Sequence, residues 1–297
     1  AYLFATMEQE AAAELQRRRP PWRRTVAVQA ALCLALYAAF SLGEPQLRPR
    51  GRDALGSGGR GGGVSFLSVA GGARPPADQA RLLSQMESIA KVYGVKLVLD
   101  VARFGDDPLW RNGSLHFQAL NIPWYSTTSH GQIVDNFVKK VKMPYDQILE
   151  IIGFDTGPLQ ELLHDGKMSN SSREQITWLE QTLALSSSNW KIVVGYDPLV
   201  DCNEVHTAKV TQFREPLRQL FEAYAVDAYV STGGSCGQFH QDNSVLYIQN
   251  PIPGVHTNLD GFLLHRVSPL EMESLSINLE GEIVQRSVVH QQGRGAM

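Results

Sequence analysis

Cysteine is scarce in this chain. Cys33, Cys202 and Cys236 are the whole supply among 297 residues, too few and too scattered for a disulfide scaffold or a CxxC zinc site. A single Cys202–Cys236 disulfide stays open in an oxidising lumen, because Cys33 lies in an apolar run elsewhere. Net charge is also small: Lys and Arg total 27 against 30 Asp and Glu, leaving −3. Without concentrated positive charge there is no electrostatic case for a nucleic-acid partner. The glycines Gly61 to Gly63 have no Lys-Ser/Thr behind them and precede the first strand, which excludes a phosphate loop. His116 and His206 lack the paired spacing that selects zinc. What the chain does have is apolar residues, 43% of the total, ample for a core.

One stretch of them is continuous. TVAVQAALCLALYAAFSL, residues 25–42, holds no charged side chain, and as a helix it would measure about 27 Å, close to the hydrocarbon thickness of a bilayer. Arg17, Arg18, Arg19, Arg23 and Arg24 stand before it, which predicts a cytosolic N terminus and a luminal domain in the secretory pathway. A cleaved signal peptide competes, given the small residues near the end of the run, and so does insertion into a mitochondrial or plastid membrane. Glu8, Glu10 and Glu14 count against an organellar leader. The expected organisation is a basic tail over 1–24, a transmembrane anchor over 25–42 in contact with membrane lipid, a flexible Gly/Pro/Arg-rich stalk over 43–63, and one domain over 64–297. Asn112-Gly-Ser and Asn170-Ser-Ser are N-glycosylation sequons, meaningful only for a domain that reaches the lumen.

Within the domain, strand and helix patterns alternate. FLSVA (66–70) reads as a strand, and Leu82, Leu83, Met86, Ile89 and Ala90 recur at helical spacing before Gly94. KLVLDVA (96–102) and residues 122–126 are further strands. REQITWLEQTLALS is amphipathic through Ile176, Leu179, Leu183 and Leu185 and leads into WKIVVGY (190–196). FREPLRQLFEAYAV followed by DAYVST repeats that order, which argues for an α/β domain with helices covering the sheet faces. VLYIQN, GFLLHRV, ESLSINLE and EIVQRSVV are short strands that predict an antiparallel or mixed end to the same domain.

The blocks IPWYSTTSHG, REQITWLEQTLALSSSNWKIVVGYDP and LRQLFEAYAVDAYVSTGG, with GFDT at 153–156, resemble the calcineurin-like metallophosphoesterases, most closely the purple (tartrate-resistant) acid phosphatase branch, over roughly residues 64–290. The resemblance implies two packed mixed β-sheets flanked by helices, with the site on the loops beyond the strand ends. It also implies two metal ions clamped by carboxylates and imidazoles from five motifs, where they activate the attacking hydroxide. Each motif is altered here. Gly71 and Gly72 stand where the first carboxylate is expected, Ala102 and Arg103 replace the second motif, and only His130 survives of the GNHD-like third. Gly195-Tyr196-Asp197-Pro198 keeps the glycine and proline of the GHHP motif without its histidines, and Thr232-Gly233-Gly234-Ser235 has none of the last motif's.

Arg103 has no lone pair with which to coordinate a metal. Its guanidinium is expected to pair with Asp197 in the emptied pocket, where Gly233 to Ser235 offer backbone N–H groups for an anion. Asp155 fits a loop-bonding role, and Asp106 and Asp107 before Pro108 read as a turn. The sequence therefore predicts no catalytic residue and no metal cofactor, and a membrane-anchored pseudo-phosphatase that binds an unidentified protein partner as a scaffold. The alternative is a divergent phosphoester hydrolase with a dinuclear Fe, Zn or Mn centre, for which Asp100, Asp106, Asp107, Asp155, Asp197, His130 and His240 are the available ligands.

Overall fold

A computed structural model describes residues 22–43, 63–72, 74–102, 109–127, 136–159, 169–200, 202, 208–233, 236–253 and 260–291. The chain divides into two compact units, residues 1–54 and 55–297.

In the first unit, α1 (Trp22–Gly43) contains the apolar run 25–42. Residues 25–35 are exposed on every side of the helix, Leu34 at 67%. Among the described residues no helix is long and apolar enough to cross a membrane. The side chains of residues 36–43 lie outside the described residues. The transmembrane helix expected from the sequence is thus not found, and only the helical conformation of its segment is.

The second unit begins with β1 (Val64–Ala70), then α2 (Pro76–Tyr93), β2 (Val98–Val101), α3 (Leu109–His116) and β3 (Trp124–Ser126). There follow β4 (Phe137–Lys142), β5 (Ile148–Gly153), α4 (Asn170–Ala184), β6 (Trp190–Val194), α5 (Ala208–Ala223) and β7 (Ala228–Thr232). Five strands close the chain: β8 (Phe239–Asp242), β9 (Val245–Asn250), β10 (Gly261–Val267), β11 (Glu271–Asn278) and β12 (Ile283–His290). They form two six-stranded mixed sheets, ordered β12-β11-β10-β1-β2-β3 and β4-β5-β6-β7-β9-β8. In each sheet the helix-linked strands run parallel and the hairpin strands antiparallel, as crossover and turn connections require.

The sheets face each other across a core of Phe66, Leu99, Ile151, Trp190, Val230 and Ile248. Period-two alternation sends the intervening residues outward. Leu67, Val69 and Leu264 meet Leu82, Leu83 and Met86 of α2, while Ile152, Val193 and Tyr229 meet Leu179 of α4 and Leu217 and Phe221 of α5. Gly94 stops α2 at φ 59, a left-handed turn that glycine adopts without steric cost.

Several expectations need correction. Leu185 does not belong to the apolar stripe of α4: it caps the helix and stands 84% exposed. The helix α5 starts earlier than Phe213 and carries Pro216 inside it. Neither α3 nor the β4–β5 hairpin was legible as an element, although β4 alternates half-buried and exposed residues throughout. In α3, Gly113 gives the reason: an added Cβ would lie 2.7 Å from the Trp124 ring, so this helix depends on close tertiary packing, not on its own pattern.

Candidate functional site

Parallel order puts the C-terminal ends of β1, β2, β3, β5, β6, β7 and β9 at one pole, where ligands bind in open α/β sheets. At the end of β1, the Gly71 N–H donates to the Val101 carbonyl at 2.9 Å. Gly72 has φ +112, and a Cβ there would come 3.6 Å from the Pro253 ring. A Cβ on Gly233, at the end of β7, would come 3.3 Å from Ile252 Cγ1. The turn after β9 therefore packs against both glycines, between two loops that the sequence resemblance assigns to metal ligands.

The remaining loop ends bond to one another. Thr127, just past β3, accepts from the Ala102 N–H at 3.1 Å and donates its hydroxyl to the Ala102 carbonyl at 2.9 Å. Thr156 donates to Asp197 Oδ2 at 2.6 Å and accepts from the Asp197 N–H at 3.2 Å. Tyr229, fully buried, donates its hydroxyl to the Asp197 carbonyl at 2.7 Å. Thr232 donates both its N–H and its hydroxyl to the Tyr196 carbonyl, at 3.0 and 2.8 Å. Asp155 accepts from the Gly157 N–H at 2.8 Å, a turn bond of the kind expected of it. Burial pushes the Asp155 carboxyl above its ordinary range against that bond, and the neighbouring Asp197 adds to the push. Burial also drives the Tyr229 phenol well upward, again helped by Asp197.

Of the site residues named from sequence, Gly71, Tyr196, Asp197 and Gly233 reach this pole, whereas Arg103, His130 and Ser235 lie outside the described residues, as do Asp106 and Asp107. Asp100 is buried and shares the face of Val69, which packs against α2 and away from the other sheet. Asn112 and Asn170 are exposed, in α3 and in the first turn of α4.

Two features went unread in the sequence. Arg74, beyond the Gly71-Gly72 turn, has a side chain only 1% exposed; it donates to the Ala70 carbonyl at 3.0 Å and pairs with Asp260 at 3.4 Å. A buried guanidinium thus lies beside the end of β1. Behind the site, a polar chain crosses between the sheets. Ser68 Oγ donates to Asn250 Oδ1 at 2.7 Å, and Asn250 Nδ2 donates to the Ser231 carbonyl at 2.9 Å. Having spent its hydrogen, Ser68 accepts from His265 Nε2 at 2.8 Å, which leaves His265 Nδ1 to accept from Ser274 at 2.9 Å. All these side chains are fully buried, and burial lowers the His265 imidazole to about 3. The Ser68–Asn250 bond ties the sheets together, and the serine–histidine pair within the first sheet is sealed from solvent, with no route to a substrate. The partners are almost 200 residues apart, 197 for Ser68 and His265, so no local pattern announces them.

Cys202 and Cys236 are joined in a disulfide that ties the loop after β6 to the loop after β7. With His240 they form the one group of three metal-capable side chains found among the described residues, their ligand atoms within 4.8 Å of one another. The disulfide occupies both sulfurs. At the described strand ends Asp155 and Asp197 are the carboxylates, and both are bonded within their loops, while Gly71, Gly233 and the backbone-bonded threonines add no imidazole or carboxylate of the kind a dinuclear metal centre needs.

No family model matches the chain, and no curated protein matches it in sequence. Solved structures do resemble it. GAP50, the anchor in the inner membrane complex of Plasmodium, is 14% identical, with 79% of this chain and 90% of that one covered and a TM-score of 0.62. PhoD shares 10% identity over 80% of this chain and 71% of its own, with a TM-score of 0.44. Zinc-complexed Vps29 from Entamoeba histolytica shares 11% over 77% of this chain and 100% of its own, at 0.38. The neighbours are proteins of the metallophosphoesterase fold, and two mixed sheets flanked by helices are that α/β fold. At such identities the likeness shows the fold alone.

Proposed function

We propose that this protein is a membrane-anchored, catalytically inactive relative of the purple acid phosphatases, acting as a binding or scaffold module for a protein partner. The observation that carries the reading is the internal bonding of the strand-end loops. Thr127, Thr156 and Thr232 saturate the neighbouring backbone, and the Ile252–Pro253 turn fills the space beside Gly72 and Gly233. A hydrolytic site of this fold needs open ligand positions and room for a phosphoryl group; the described strand ends are instead bonded to one another. Arg74 places a buried cation, paired with Asp260, beside the end of β1. The similarity to a protein described as a membrane-complex anchor supports a holding role over a catalytic one.

The anchor itself is proposed from α1, whose largely apolar residues 25–35 are exposed. A luminal domain is supported by the Cys202–Cys236 disulfide, since such bonds persist in oxidising compartments. Elemental analysis of the purified chain together with phosphomonoester and diester assays tests the proposal. The expected result is no stoichiometric Fe, Zn or Mn and no metal-dependent turnover. One or two tightly held transition metals per chain would instead favour a divergent hydrolase.

A further inference from the structure

The disulfide between Cys202 and Cys236 has a third neighbour that a covalent tie between two loops does not require. His240, in β8, brings an imidazole nitrogen to within 4.8 Å of both sulfurs. The strand register explains the approach. β8 is the edge strand of its sheet, and His240 pairs with Tyr247 of β9. Its neighbour Phe239 packs into the core between the sheets, so His240 takes the other face, the one on which Tyr247 meets α5. Between Cys236 and β8 the chain turns at Gly237, whose φ of +81 is a left-handed conformation that glycine adopts without steric cost. Cys202 arrives from the loop after β6 and is exposed, while Cys236 and His240 are half-buried. Solvent therefore reaches the group.

A buried amide lies in the same turn. Gln238 is 6% exposed, and its backbone carbonyl accepts from the Gln249 N–H at 2.9 Å. Among the described residues neither Oε1 nor Nε2 of its side chain has a hydrogen-bond partner. Burying an amide unbonded is costly, and a purely structural disulfide gives no reason for it. An amide next to a metal-bound water does have one.

Two thiolates and an imidazole are a donor set that suits zinc and leaves it a fourth position. We propose that reduction of the Cys202–Cys236 disulfide opens a zinc site formed by Cys202, Cys236 and His240, with water as the fourth ligand. A dithiol supplies the two electrons: its own sulfurs close into a disulfide, and its two hydrogens pass to Cys202 and Cys236. Binding of Zn²⁺ then displaces both protons and leaves a neutral centre of one dication and two thiolates. A tetrahedral zinc with Zn–S of about 2.3 Å and Zn–N of about 2.0 Å holds its sulfurs about 3.8 Å apart and each about 3.5 Å from the nitrogen. Donor atoms that already lie within 4.8 Å of one another have little distance to travel. The loops after β6 and β7 are then tied in both states, by a covalent bond when oxidised and through the metal when reduced. The oxidised chain has no thiolate to offer here and takes up no zinc at this place.

The test uses the full chain in detergent, in a Cys33→Ser background that removes the remaining free thiol. Oxidised and phosphine-reduced samples are given zinc, freed of excess by gel filtration and assayed for metal. The reduced chain should retain one zinc per chain and the oxidised chain none, and zinc should raise the Tm of the reduced chain alone. His240→Ala, which leaves both cysteines in place, should weaken zinc binding to the reduced chain by more than the roughly tenfold that a supporting residue costs. Cobalt in place of zinc should give a thiolate charge-transfer band and the strong visible absorption of a tetrahedral site. A reduced chain that keeps no zinc, zinc held equally well by His240→Ala, or the same zinc content in the oxidised and reduced chains would overturn the proposal. If reduction unfolds the chain, its near-ultraviolet circular dichroism should return when zinc is added to the parent and not to His240→Ala; no return in the parent overturns it as well.

Discussion

Replacing Thr156 with valine is the sharpest probe of the closed site. The substitution preserves shape and removes only the hydroxyl, which donates to Asp197 Oδ2 at 2.6 Å and accepts from the Asp197 N–H at 3.2 Å. A hydrogen bond to a carboxylate contributes about 1.5–3 kcal/mol and a neutral one about 1 kcal/mol. Thr156 is fully buried, so its side is counted in full, but Asp197 is half-buried and regains part of its loss from water. The expected net destabilisation is about 2 kcal/mol, a fall in Tm of about 4–8 °C for a domain of this size. Differential scanning calorimetry of the parent, Thr156→Val and Thr156→Ser at neutral pH measures it. Serine keeps the hydroxyl and gives up a buried methyl, so its Tm should lie between the other two. A valine variant within about 1 °C of the parent, or a serine variant falling as far as valine, would refute the claim that this bond holds the loops after β5 and β6 together.

Two further outcomes are expected. His265 is buried and neutral, with its folded value lowered to about 3 from 6.5; its contribution is therefore complete above pH 6.5 and is lost as pH falls toward 3, with a slope of at most about 1.4 kcal/mol per pH unit. Urea midpoints from pH 7 to 4 should fall more steeply for the parent than for His265→Gln, and parallel curves would show that this histidine does not control the acid limb. For topology, protein made in a eukaryotic secretory host should lose mass on glycosidase treatment, with Asn112→Gln and Asn170→Gln each removing a share. A domain open to protease in intact microsomes would place it on the cytosolic side.

Much of the fold was legible because its signals are local. Leu82, Leu83, Met86 and Ile89 mark the buried face of α2 by spacing alone, and the apolar runs at 64–70, 190–194 and 228–232 became central strands buried along almost their whole length. Leu185 misled for the same local reason: it continues the spacing of α4, yet the helix ends before it and the residue meets solvent. That Gly71 and Gly233 bring no side-chain donor to the strand ends could likewise be seen from identity. What stands against those glycines could not. Ile252 and Pro253 follow β9, and Asp260, the partner of Arg74, lies 186 residues away in sequence.

By itself, the sequence determined the alternation of strands and helices and the apolar segment within α1, because each follows from the order and chemistry of near neighbours. Only the tertiary structure decided that Thr127, Thr156 and Thr232 bind the adjoining loops, that Cys202 pairs with Cys236, that Ser68 and Asn250 link the sheets, and that Tyr145, Leu185 and Leu270 stand in solvent. Those facts depend on which strand ends are brought side by side, and that is set by packing two sheets face to face across the whole chain, not by any single stretch of it.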